Sequence, residues 1–139
     1  RRHPDIPFRF AGELRDRHLF GDIPANCTFT GYLSGEALGD FYRDASFFVM
    51  ASRWYEGFPM TILETAAWGK PTVAPNHGGF TEIIAPHDVD DLERNVVALW
   101  NDARTVAALG QKAFDKLRAE YDASVIYGKW EDLINRIIK

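Results

Sequence analysis

Short runs of strand-type residues alternate with helix-type patterns along the first part of the chain. Four apolar runs predict strands at residues 8–12, 27–31, 46–51 and 71–75. The third run is apolar almost throughout, as expected for a central strand that is covered on both faces. Alternation of strands and helices is typical of an α/β domain with a parallel sheet. We therefore predict α/β as the fold class.

Periodic apolar positions between and after these runs predict five helices. Ser34 is a suitable N-cap for the first helix, and Pro59 favours the first turn of the second. Asp88 with Asp91 resembles a capping pair at the start of the third, and the fourth helix spans residues 103–120. The expected inward-facing residues are Leu38, Phe41, Tyr42 and Ala45, then Ile62, Leu63, Ala66 and Ala67, then Leu92, Val96 and Leu99, and in the last helix Ile126, Trp130, Leu133, Ile134 and Ile137. The strand–helix alternation is therefore followed by a helical C-terminal tail.

Composition narrows the classes of function. The 139 residues are 46% hydrophobic and 26% charged, with a net charge of -4, which suits one globular domain and gives no basic footprint for nucleic acid. No apolar run is long enough to span a membrane. Cys27 is the only cysteine, which excludes an internal disulfide and fits a reducing, cytoplasmic compartment. The histidines show no ligand spacing with each other or with Cys27, so we expect no metal site.

The carboxyl ends of the predicted strands carry the candidate chemistry, because ligands of open α/β sheets bind there. Three glycine-containing turns occupy this position, at residues 31–34, 52–59 and 76–81. Two of them approach helix N-termini, where free N–H groups and the helix dipole favour phosphate. The middle turn carries Glu56, and Glu64 follows in the next helix. An ionised carboxylate accepts two hydrogen bonds from a vicinal diol, so the pair suits sugar hydroxyls on either side of a diphosphate.

The same spacing has a simpler interpretation. A glutamate in a loop and another on a helix are usually solvated surface residues, and two glycines after a strand are usually a plain turn. No G-x-G-x-x-G follows a predicted strand, which argues against an ordinary Rossmann-type dehydrogenase. The order of the segments along the chain is what favours a ligand site.

Taken together, these segments resemble the C-terminal, donor-binding domain of GT-B-fold retaining glycosyltransferases of the family-4 type. The Glu-x7-Glu motif of that family is matched by Glu56 to Glu64. The flanking segments that also match are residues 29–33, 38–44, 69–74 and 78–84. The resemblance is continuous over residues 8 to 84, and the helical tail agrees more loosely.

The resemblance implies a Rossmann-like parallel sheet and a set of ligand residues. Glu56 would contact hydroxyls of the donor hexose as the catalytic residue, and Glu64 would hold the ribose of the nucleotide. The remaining substrate-binding residues that it implies are Gly57, Phe58, Tyr32, Leu33, Gly78 and Gly79. The donor would be a UDP-, GDP- or ADP-sugar, with neither a metal nor another cofactor required. The acceptor would be a glycan or a lipid-linked glycan, in polysaccharide biosynthesis.

Several parts of the family pattern are absent from the sequence. No strand with a basic Arg and Lys loop precedes Phe8, and the N-terminal acceptor domain has no counterpart. The Gly-containing stretch that the family carries is also missing near residues 84–88. We therefore interpret residues 1–139 as a single nucleotide-sugar-binding domain from a longer protein, which alone transfers no sugar at a useful rate. Membrane docking through the absent domain stays open, and a non-catalytic GT-B-like interaction module is the alternative function.

Four further residues near the motif are weaker candidates. Arg53 is expected at the surface rather than on the diphosphate, and His77 is expected to be a solvated turn histidine. Trp54 and Tyr55 suit two roles equally, an acceptor-side platform or a contact with another domain. Sequence alone does not separate the two roles.

Overall fold

The computed structural model describes residues 2–19, 21–83 and 92–138. The chain divides into two compact units, residues 1–44 and residues 45–139. The predicted capping pair Asp88 and Asp91, and the segment 84–88 where the family pattern is interrupted, lie outside the described residues.

The first unit pairs two parallel strands and ends in a helix. Its elements are β1 (Phe8–Ala11), a 3-10 turn (Arg17–Leu19), β2 (Cys27–Gly31) and α1 (Gly35–Asp44). The strand register places Phe10 beside Phe29, and the two rings stack with centroids 4.8 Å apart. The predicted bounds of β2 and the helix after Ser34 are confirmed.

Side chains outside the strands hold this first unit together. The Asn26 side-chain amide donates to the carbonyl oxygens of His3 and Ile6, at 3.0 and 2.7 Å. The Arg9 guanidinium lies 5.3 Å from the centre of the Phe41 ring on α1. These contacts connect the segment before β1 to the segment before β2, and β1 to α1.

The second unit also contains a parallel pair, with helices after each strand. Its elements are β3 (Phe48–Val49), α2 (Met60–Ala67), β4 (Thr72–Val73), α3 (Phe80–Ile83), α4 (Leu92–Trp100), α5 (Ala103–Lys116), a π-helical turn (Leu117–Tyr121) and α6 (Ala123–Ile137). Both strands are shorter than predicted, and the run at β3 is half-buried rather than fully covered. The parallel direction of the two strands is as predicted.

The core of the second unit lies between α2, β4 and α3. Ile62, Ala74, Phe80 and Ile83 are buried together there. Thr65 is also buried, and its hydroxyl donates to the carbonyl oxygen of Ile62 at 2.9 Å while sharing a 2.7 Å hydrogen bond with the Thr72 hydroxyl. A buried hydroxyl is tolerated because both of its interactions are satisfied inside the protein.

The C-terminal end of α2 is in close contact with α5. Gly69, which follows the helix, has a φ of +64° and so takes the left-handed conformation that ends many helices. Gly110 of α5 packs on it, because a Cβ at Gly110 would lie 3.0 Å from the Gly69 carbonyl carbon and closer still to its oxygen. This approach requires glycine at position 110, although glycine is a poor helix former.

The last two helices begin at aspartate caps. The Asp102 carboxylate accepts hydrogen bonds from the Thr105 hydroxyl and backbone N–H, which hold the pKa of that carboxyl below its ordinary value. The Ser124 hydroxyl and N–H lower the pKa of Asp122 in the same way at the start of α6. Both caps satisfy N–H groups that have no partner within their own helix.

Four predictions about the helices are wrong in detail. Leu92, which was predicted to face inward, is 38% exposed at the start of α4. The helix predicted over residues 103–120 ends at Lys116 and continues as the π-helical turn. Ala67 is exposed, because the buried stripe of α2 is formed by Ile62, Thr65 and Ala66. The apolar stripe of α6 was expected to pack inward, but its members from Trp130 onward are exposed.

Candidate functional site

Two loops leave the same edge of the β3–β4 pair. The strands run parallel, and the Met50 N–H donates to the Val73 carbonyl oxygen at 2.8 Å at the end of the pair. The segments 51–59 and 74–79 therefore start side by side at the carboxyl ends of their strands. This is the place where open α/β sheets bind ligands.

Backbone contacts hold these two loops together. The Gly79 N–H donates to the Glu56 carbonyl oxygen at 2.8 Å. A Cβ at Gly79 would lie 2.8 Å from the Gly57 carbonyl carbon, and one at Gly78 would lie 3.1 Å from the Glu56 oxygen. The two glycines therefore support the Glu56 loop through close backbone contacts. Gly78 also has a φ of +57°, a conformation that other residues adopt rarely.

An aromatic cluster extends this contact. The His77 ring lies 4.9 Å from the Tyr55 ring and 5.7 Å from the Phe80 ring, edge to face with the latter. Its Nδ1 is buried without a hydrogen-bond partner among the described residues. The expectation of a solvated turn histidine is therefore wrong, because His77 packs between the loop of Glu56 and the first residue of α3.

The two glutamates of the motif lie on different parts of this arrangement. Glu56 is half-buried in the loop, and Glu64 is exposed on α2. The helix starts at Met60 with Pro59 in the N-cap position, and no side chain caps it. Its first N–H groups are therefore not satisfied by a capping side chain and face the loop that carries Glu56.

The protein backbone between the two glutamates leaves room for a ligand to approach. A Cβ at Gly57 would meet no atom within 4 Å. Phe58 is 44% exposed, and its ring centroid lies 5.8 Å from that of Tyr121. The roles of these residues toward a ligand stay predictions, and the structure adds that the loop is open on the Gly57 side.

Tyr121 is a residue of this region that sequence reasoning missed. Its hydroxyl donates to the Glu82 carbonyl oxygen at 3.2 Å, and burial, followed by the charges of Glu120 and Glu82, raises the pKa of its phenol. The π-helical turn places its ring against Phe58. π-helical turns are frequent at functional sites, but no local pattern in the sequence announces one here.

The remaining candidate residues are distributed over both units. Tyr32 and Leu33 follow β2 in the first unit, where Tyr32 is exposed and Leu33 is half-buried. Gly31, directly before them, has a φ of +75°, which turns the chain away from the strand. Arg53 of the second unit is exposed, as expected.

A cavity of about 200 Å³ in the second unit lies between α2 and α5 and extends to Tyr121. It is lined mainly by apolar side chains, among them Ile62, Leu63 and Ala66 of α2. None of the predicted ligand residues lines it, so we do not assign it to the candidate site.

In the part of the chain that the structure describes, no three His, Cys, Asp or Glu residues are grouped so that they could hold a metal ion. Across residues 2–19, 21–83 and 92–138, no helix combines the length and the apolar character needed to cross a bilayer.

Comparisons with known proteins identify the fold and the family of the chain. Sucrose-phosphate synthase from Thermosynechococcus elongatus has the same fold over 94% of this chain and 37% of its own, with a TM-score of 0.75 at 19% identity. The chain thus has the Rossmann-like α/β fold of GT-B glycosyltransferases. The family model for glycosyl transferases group 1 matches residues 1–123, so the chain belongs to this family.

Two curated relatives support the assignment. Mannosylfructose-phosphate synthase from Agrobacterium fabrum is 33% identical over 116 residues, which cover 77% of this chain and 25% of that protein. The lipopolysaccharide core biosynthesis mannosyltransferase LpsB from Rhizobium meliloti is 36% identical over 140 residues, which cover 90% of this chain and 39% of that protein. The chain therefore spans well under half the length of either relative.

Proposed function

We propose that the chain binds the donor, a nucleotide-diphospho-sugar, in a retaining glycosyltransferase that transfers a hexosyl group to a glycan or lipid-linked glycan. The observation that carries the proposal is the loop of Glu56. It is held by Gly79 at the carboxyl edge of two parallel strands and leads directly into the helix that carries Glu64. Family membership supports the transfer chemistry, and the finer family-4 assignment stays a prediction.

The geometry suits a donor with hydroxyls at both ends and a diphosphate between them. In the proposal, the Glu56 carboxylate accepts hydrogen bonds from hydroxyls of the hexose, and Glu64 accepts them from the ribose. The uncapped start of α2 lies between the two glutamates along the chain, and its N–H groups and dipole favour the diphosphate. Gly57 lets the ligand approach the backbone, since no neighbouring atom fills that space.

Mannosyl donors are the first candidates within the proposed donor class. The names of both relatives refer to mannosyl products or mannosyl transfer. We therefore propose GDP-mannose as the first donor to test, beside UDP-glucose and ADP-glucose. Retention of anomeric configuration, independence from metals and a cytoplasmic location are parts of the same proposal.

Ligand-observed NMR of this chain with the three nucleotide sugars tests the donor site. One of them should bind, and Glu64→Ala should weaken it by about 2–4 kcal/mol, as expected for loss of two charge-assisted hydrogen bonds. Glu131→Ala is the matched control, because Glu131 is an exposed glutamate on α6. Equal affinity in the two variants would remove Glu64 from the site. A folded chain that binds none of the three would favour the interaction-module alternative.

A further inference from the structure

Two large aromatic side chains are exposed directly beside the proposed hexose site. Trp54 and Tyr55 are each 77% exposed, and they immediately precede Glu56. Exposed aromatic residues that adjoin one another commonly mark ligand or interaction sites, because exposing such surface to water is unfavourable. Their position next to Glu56 suggests a ligand that must lie close to the donor sugar.

The backbone that presents these rings is held in place. The Trp54 N–H donates to the Ser52 hydroxyl at 3.2 Å, and the Glu56 N–H donates to the Trp54 carbonyl oxygen at 3.1 Å. The Glu56 carbonyl in turn accepts from the Gly79 N–H. A turn with these three hydrogen bonds gives the aromatic pair a defined position, which lowers the entropic cost of binding.

The Tyr55 ring is supported on one side. It contacts the His77 ring with centroids 4.9 Å apart and an interplanar angle of 36°. The side chain is nevertheless mostly exposed, so much of the ring remains accessible. Trp54 is exposed to the same degree, so the rings of two consecutive residues are both accessible to a ligand.

The chemistry of transfer limits what can occupy this surface. In the proposed function the new glycosidic bond forms at the anomeric carbon of the hexose that Glu56 holds. The bond from that carbon to the diphosphate oxygen breaks, the nucleoside diphosphate leaves, and the acceptor hydroxyl gives up its proton. The acceptor hydroxyl must reach that carbon at about 3–3.5 Å, so the acceptor sugar lies within one ring of Glu56. One face of a pyranose presents C–H groups, which pack well on the negative face of an aromatic ring. Because Trp54 and Tyr55 carry no charge, they match a neutral sugar.

We propose that Trp54 and Tyr55 form a stacking platform for a neutral pyranose ring of the acceptor glycan. This platform rests on the proposed donor function of the neighbouring Glu56 loop. It assigns acceptor contacts to this chain in addition to any made by other parts of the protein.

Titration of the chain with methyl α-mannopyranoside and with maltose tests the platform. The donor site is first saturated with whichever of GDP-mannose, UDP-glucose and ADP-glucose binds best, so that the hexose position is occupied. The indole N–H signals of the four tryptophans are then followed by NMR. At least one of the two sugars should shift the Trp54 signal and leave the Trp130 signal unchanged.

Three variants sharpen the test. Trp54→Ala should weaken sugar binding about tenfold, which corresponds to roughly 1.4 kcal/mol, without changing donor affinity. Tyr55→Phe keeps the ring and should bind both ligands as the unmodified chain does. Trp130→Ala is the matched control, because it removes an exposed tryptophan from α6.

Each other outcome overturns the platform. If the donor binds and neither sugar shifts the Trp54 signal, the aromatic pair is a contact for protein rather than for sugar. If Trp54→Ala weakens donor and added sugar equally, the ring belongs to the donor site. If none of the three nucleotide sugars binds, the proposed function fails first and the platform fails with it.

Discussion

Replacement of Gly79 by alanine tests whether the close contact between Gly79 and the Glu56 loop is needed for donor binding. The added Cβ would lie 2.8 Å from the Gly57 carbonyl carbon and 3.0 Å from the Glu56 carbonyl oxygen. The Gly57 carbonyl oxygen would lie closer still. Ordinary contacts of a carbon atom are about 3.5 Å or longer, so the loop must move by about 1 Å. Both obstructing groups are backbone, which cannot rotate away as a flexible side chain would.

Two effects of Gly79→Ala follow from that displacement. The 2.8 Å hydrogen bond between the Gly79 N–H and the Glu56 oxygen is stretched, and overpacking of this kind costs about 1–3 kcal/mol of folding free energy. Displacement of a positioned group by about 1 Å can reduce activity roughly a hundredfold. We therefore expect donor affinity to fall at least tenfold, because Glu56 and the backbone at Gly57 move together.

Donor titration by NMR and thermal unfolding measure the two effects on the same samples. Gly128→Ala is the control, because a Cβ at Gly128 on α6 would meet nothing within 4 Å. Gly57→Ala separates the effect on folding from the effect on binding, since the space beside Gly57 is also open. This variant should keep the unfolding temperature and lower the affinity for the donor. Unchanged donor affinity and unchanged unfolding temperature in Gly79→Ala would refute the role of Gly79 in supporting the Glu56 loop.

Two further predictions concern stability. Gly110→Ala should lower the free energy of unfolding by about 1–3 kcal/mol in urea titrations, because its Cβ would press on Gly69, whereas Gly128→Ala should raise it by about 0.5–1 kcal/mol through helix propensity. Equal effects of the two substitutions would contradict the close packing of α5 on the end of α2. The lowered pKa values of Asp102 and Asp122 contribute stability that is present above their unfolded value of about 3.9 and is lost as the pH falls through the lower folded values. The double variant Asp102→Asn with Asp122→Asn should therefore show a smaller fall in unfolding temperature between about pH 5 and pH 2. If its unfolding temperature falls as steeply over this range as that of the unmodified chain, the two caps are not the cause of the loss of stability in acid.

The sequence indicated the elements of the site better than their contacts. The Glu-x7-Glu spacing, the helix start after Pro59 and the helix end at Gly69 are each local, so they are visible in the order of residues. The strand at 27–31 is confirmed with its bounds, because turn residues flank it on both sides. In contrast, the inward stripe expected on α6 is exposed, since periodicity shows which face of a helix is apolar and not whether a partner covers it.

The same limit explains the residues that sequence reasoning misjudged. His77 was expected to be solvated because a turn histidine usually is, yet it packs on Tyr55, which lies 22 positions earlier in the sequence. Tyr121 was assigned no role, yet the π-helical turn places it against Phe58. Both contacts join residues that are distant in sequence, and no local periodicity encodes such a pair.

The sequence by itself determined the α/β class, the family motif and the position of the two glutamates on a loop and a helix. These features depend on turn chemistry and on the repeat of apolar residues, which act over a few positions. Only the tertiary structure decided that Gly78 and Gly79 support the Glu56 loop and that Trp54 and Tyr55 remain exposed beside it. Those outcomes depend on which backbone segments meet when parallel strands pair, and therefore on the packing of the whole unit.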